Sequence, residues 1–198
     1  MSSKPMLFAA IPFCFACCHA FEPYLSKETC LSTIFIANST ATVLFKYKRE
    51  LAVLRATRSV VFSSFAHVDF KHLLQNFTLL ALIWQEASEV CGLSNTFALY
   101  LSGGPLAISL SRKLDQIKHS SKLTVGSSGA VSTLLGSMLW NYDIGPILAP
   151  TGAIGLILTS LVGFKISKNA SIDHVTHLVG ALYGVGFCSF QDFTQRKF

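Results

Sequence analysis

Charge is scarce in this chain. Asp, Glu, Lys and Arg make up 13% of its 198 residues, about half of the roughly 25% usual for a soluble domain. Hydrophobic residues reach 51% and the mean hydropathy is +0.50. No internal repeat and no low-complexity segment is present. A cysteine framework is also missing. The six cysteines, Cys14, Cys17, Cys18, Cys30, Cys91 and Cys188, lie mostly in apolar stretches at spacings that do not suggest a disulfide scaffold. Cys14 and Cys17 match C-x-x-C, but no second pair follows and the surroundings are apolar. Such thiols behave as small hydrophobes.

The charge that remains is mostly basic, with a formal net charge of +6. It falls in short runs between apolar segments, as topology determinants of a membrane protein do. That distribution argues against nucleic acid as a partner and for a lipid bilayer. A membrane span takes about 20 apolar residues, so the length suits one compact unit of about six or seven spans.

The expected fold class is therefore all-α, a polytopic transmembrane helical bundle. Apolar runs fall at about 5–22, 30–45, 62–85, 94–111, 126–142, 146–164 and 172–190. The run at 30–45 is diluted by Asn38, Ser39, Thr40 and Thr42. Residues 1–28 are read as an N-terminal apolar segment, an extra span or a targeting segment. Residues 29–191 form the core, and 192–198 a short polar tail. Lys46, Lys48, Arg49, Arg55, Arg58, Arg112, Lys113, Lys118, Lys122, Lys165 and Lys168 all fall on one side of the alternating topology. That side is expected to face the cytosol or a mitochondrial matrix.

Three polar signatures stand inside apolar sequence, where ionisable groups are costly and mark function. The first is H-x4-H-x3-N at His67, His72 and Asn76. The second is Gly126-Ser127-Ser128-Gly129. The third joins Asp173, His174 and His177 to Gly180 and Gly184. Serine is a weak nucleophile until a base takes its proton, and histidine is the usual base. Ser128 is thus the candidate nucleophile and His177 the candidate base. Gly180 and Gly184 fall within about 60° of His177 on a helix. Their small face lets a neighbouring backbone come close. His72 and Asn76, four apart, project together and can donate to an oxyanion. His67 points elsewhere and is given a supporting role. Gly126 and Gly129 permit the tight entry into a helix that the serine needs. Asp173 is read as the N-cap of the last span.

Other readings remain open on the residues alone. A glycine seam could serve helix packing only, and four histidines could ligate a metal. A metal or solute transporter would follow from the latter.

Taken together, these residues resemble the rhomboid family of intramembrane serine proteases, from about Ala37 to Phe190. Within it, the chain is most similar to the mitochondrial presenilin-associated rhomboid-like branch. Phe65-Ala-His67-Val-Asp-Phe-Lys-His72, Ala98-Leu-Tyr-Leu-Ser102 and Ile172 to Gly184 carry that likeness. The resemblance implies a six-span core with one extra span before it, in the inner mitochondrial membrane. It implies a Ser128–His177 dyad, with His72 and Asn76 at the oxyanion hole. It implies no cofactor, and substrates that are single-pass transmembrane proteins. A non-catalytic rhomboid-like binder that guides membrane clients to degradation or trafficking is the alternative. The chain differs from the family pattern in having Val179 before Gly180 and Ser132 where many members carry tyrosine.

Overall fold

A computed structural model describes residues 4–47, 59–117, 125–140 and 174–195. Among these residues the regular structure is all helical, with no strand. The helices are α1 (Lys4–Ala20), α2 (Lys27–Tyr47), α3 (Val60–Phe65), α4 (Phe70–Cys91), α5 (Leu93–Ile117), α6 (Ser128–Trp140) and α7 (His174–Gln195). A single 3₁₀ turn, Glu22–Tyr24, links α1 to α2.

Helix ends follow local chemistry. Ser59 caps α3, its side chain accepting from the Phe62 N–H. Asp69 caps α4, accepting from the His72 N–H at 2.7 Å. Gly92 ends α4 at φ 81°, a backbone geometry that glycine adopts without steric cost.

The helix α6 lies at the centre, with α4, α5 and α7 packed around it. Every residue from Gly129 to Met138 is buried. The core joins Leu80, Ile83 and Trp84 of α4, Leu99 and Tyr100 of α5, and Val131, Leu134 and Met138 of α6. The N-terminal helix α1 packs on α5, and α2 lies against α3 and α4.

The helices lie where apolar runs lead one to expect them, but their bounds differ: α4 extends past 85 to Cys91 and α7 past 190 to Gln195. The run expected as one span at 62–85 is broken at residues 66–69, so His67 sits in a link and not on a helix. The helix α5 continues through Arg112 to Ile117, beyond its expected end at 111. The expected span at 146–164, Asp173 and residues 196–198 lie outside the described residues, while residues 192–195 of the expected polar tail continue α7.

Among the described residues, no helix is long and apolar enough to cross a membrane. This corrects the expectation of individually recognisable spans. Among the described residues α1 covers 17 residues and α6 covers 13, fewer than the roughly 20 a span takes. In the longer helices polar side chains dilute the apolar ones, such as Asn38 in α2 and Lys71, Gln75, Glu86 and Glu89 in α4.

Candidate active site

Gly126 turns the chain into α6 at φ 126°, a value that L side chains rarely adopt. Its N–H donates to the Ser63 carbonyl at 2.9 Å, which ties the entry loop to α3. The Arg112 guanidinium donates to the Ser63 hydroxyl at 2.6 Å. Ser128 is the first residue of α6 and is half-buried. The first bond of the helix runs from the Val131 N–H to the Ser127 carbonyl at 3.0 Å. The amides of residues 128–130 consequently have no acceptor within the helix, as at any helix start.

His72 stands over this loop. A Cβ built on Gly126 would meet His72 Cε1 at 3.0 Å and Nε2 at 3.6 Å. Asn76 lies one turn further along α4 and is buried. Its Nδ2 donates to the His72 carbonyl at 3.0 Å. One amide hydrogen of that group is so engaged, and an amide has two.

His177 lies in the first turn of α7, half-buried. The approach of α6 and α7 is settled by glycine. A Cβ on Gly180 would collide with the Gly129 carbonyl oxygen and lie 3.2 Å from Ser132 Cβ. A Cβ on Gly129 would lie 2.8 Å from Thr176 Cγ2. A Cβ on Gly184 would strike the Thr133 carbonyl oxygen and come 2.6 Å from the Ser137 nitrogen. The residue after Ser128 is thereby held close to the Thr176 side chain, which precedes His177, and to the Gly180 backbone one turn beyond it.

His67 is fully buried, 0% exposed, and holds the loop from behind. Its Nε2 lies 3.2 Å from Ser127 Oγ, and the Ser127 N–H donates to that same nitrogen at 3.4 Å. An Nε2 that accepts requires the proton on Nδ1. Nδ1 in turn lies 3.0 Å from the Phe65 carbonyl, which can only accept. One neutral tautomer therefore satisfies every contact.

Sequence reasoning missed the rest of this network. The Thr42 hydroxyl accepts from the His67 N–H at 3.2 Å and donates to the Asn38 carbonyl at 2.7 Å. Asn38 Nδ2 donates to the Tyr100 hydroxyl at 3.1 Å, and Tyr100 interacts with Ser127. The i, i+4 spacing of Asn38 and Thr42 in an apolar run was the available signal.

The four-histidine alternative does not assemble. His67 and His72 have ring centroids 5.1 Å apart, and His174 and His177 are 6.5 Å apart. Among the described residues no group of three or more His, Cys, Asp or Glu side chains is arranged to hold a metal.

Comparison with known proteins adds to this geometry. Residues 55–190 match the family model described as Rhomboid domain. The chain is 28% identical over 140 residues to presenilin-associated rhomboid-like protein A, mitochondrial, of Danio rerio. That alignment covers 66% of this chain and 37% of the relative, so the chain corresponds to little more than a third of the relative's length. No solved structure matches the chain.

Proposed function

Since this chain belongs to the rhomboid family, we propose that it is an intramembrane serine endopeptidase that cleaves the transmembrane segments of other membrane proteins. The observation that carries the reading is the close approach of Gly129 to the Thr176 methyl group, and of Gly180 to the Gly129 backbone. It sets the start of α6 against the first turn of α7, with His72 over the entry loop. His177 takes the proton of Ser128, which attacks the scissile carbonyl. The Ser128 N–H, His72 and Asn76 receive the negative charge on the oxygen. The leaving amine takes the proton from His177. Water, activated by the same histidine, then releases the acyl group. This chemistry needs no cofactor.

A lipid setting is supported by how polarity is distributed. Ser63, Ser64, Thr96, Thr133 and Ser137 are buried, whereas Phe13, Ile36, Leu82, Leu182 and Phe190 face outward. Small polar residues between helices and apolar ones outside are what a bilayer favours. The substrates on this reading are single-pass proteins whose helix unwinds near the site. The inner mitochondrial membrane is the proposed location, supported by the basic bias of one side and by the mitochondrial relative.

The deciding experiment is cleavage of a model transmembrane substrate by the reconstituted protein and by Ser128→Ala. Cleavage by the wild type alone supports the proposal. Equal cleavage by both, or no cleavage together with no labelling of Ser128 by a fluorophosphonate, rejects it and favours the non-catalytic binder. Cell fractionation tests the location, and recovery outside inner mitochondrial membranes would remove that part of the reading.

A further inference from the structure

Cys91 and Cys188 are 97 residues apart in sequence, yet their sulfur atoms lie 3.5 Å from each other. Both side chains are buried, 3% and 4% exposed, and both thiols are free. Cys91 is the last residue of α4, next to the Gly92 turn. Cys188 lies in the C-terminal half of α7. At 1.5 Å of rise per residue, Cys91 is about 28 Å along α4 from His72, and Cys188 about 16 Å along α7 from His177. The pair thus sits towards the end of the bundle away from the proposed catalytic residues, which do not use it. The helices α4 and α7 each pack on α6 but not on each other along their lengths. The thiols are a point where the two meet directly.

We infer that Cys91 and Cys188 form a redox modification site, a pair that closes to an intramolecular disulfide joining α4 to α7. The oxidant is a small disulfide of the glutathione class. The thiolate of one cysteine attacks a sulfur of that disulfide and displaces one small thiolate. The second cysteine, deprotonated, attacks the protein sulfur of the mixed disulfide and displaces the other. The protein loses two protons and two electrons, and the small disulfide is reduced to two thiols. A sulfur–sulfur bond is about 2.0 Å long, so the side chains need to close by about 1.5 Å from contact. The link would bind directly two helices that otherwise meet mainly through α5 and α6. It would restrain the unfolded chain across a long loop, which favours the folded state.

The test uses the full chain in lipid nanodiscs, equilibrated with reduced and oxidised glutathione in varied ratio. Free thiols are then trapped by alkylation after unfolding, and peptides are mapped without reduction. The expected result is a cross-linked peptide containing Cys91 and Cys188, reversed by dithiothreitol. Thermal unfolding should rise by several degrees on oxidation in the wild type. It should not rise in Cys91→Ala or in Cys188→Ala. Mapping on the unsubstituted protein keeps the test independent of how those variants fold. Full alkylation of both cysteines after the folded protein has been equilibrated with excess oxidised glutathione would overturn the inference. So would linkage of either one only to Cys14, Cys17, Cys18 or Cys30, or linkage that appears only after denaturation.

Discussion

His67 Nε2 and Ser127 Oγ lie 3.2 Å apart, and Ser127 precedes the proposed nucleophile by one residue. This contact crosses 60 residues of sequence and is shielded from solvent. Removing a buried partner leaves the other unsatisfied, at a cost of about 1–3 kcal/mol. His67→Phe should therefore lower the unfolding temperature by several degrees and slow labelling of Ser128 by a fluorophosphonate. His67→Asn should restore part of both, because its amide can still donate and accept. Unchanged labelling in His67→Phe would show that the network does not position the serine.

Ser128 and His177 are proposed to act as one unit. Either substitution by alanine should reduce cleavage by about 10⁴-fold or more, and the double variant should be no worse than the singles. Multiplicative losses would indicate two independent roles instead. The measurement is turnover of a transmembrane substrate by each variant at matched reconstitution.

His72 and Asn76 share one face of α4, and the Asn76 amide reaches back to the His72 carbonyl. Loss of one oxyanion donor lowers the rate by about 10²–10³-fold. Asn76→Ala should show that loss in kcat with little change in KM, since the interaction strengthens only as charge develops. His72→Ala should do the same. Wild-type rates in both variants, with normal folding, would remove them from the oxyanion hole.

Much of this arrangement was legible in the apolar pattern. Helix positions followed from runs of hydrophobic residues. The face shared by Gly180 and Gly184 followed from the helical period, and both now meet backbone atoms of α6. The break at residues 66–69 was not legible, because apolar residues continue on both sides of it. Asp69 carried the signal, a capping residue three positions before His72. Asn38 and Thr42 read as dilution of a span. In the fold they are inward partners of Tyr100 and His67. Periodicity assigns a residue to a face, but a hydrogen-bond partner from another helix depends on packing. The extension of α5 past Arg112 was hidden because charged residues suggested a loop. None of Arg112 to Ile117 is a helix breaker.

Gly184 offers a direct test of helix approach. A Cβ there would strike the Thr133 carbonyl oxygen and lie 2.6 Å from the Ser137 nitrogen. These are backbone atoms of α6 and cannot rotate away as a flexible side chain would. Gly184→Ala therefore forces α7 outward. Overpacking of this kind costs about 1–3 kcal/mol, and Gly184→Leu should exceed the alanine variant. Because the same two helices carry Ser128 and His177, stability and cleavage should fall together and in that order. By contrast, Gly186 has open space around a built Cβ, so Gly186→Ala should leave both nearly unchanged. Thermal unfolding and turnover of the three variants decide the matter. If Gly184→Leu matches the wild type in both, α6 and α7 do not approach each other as described.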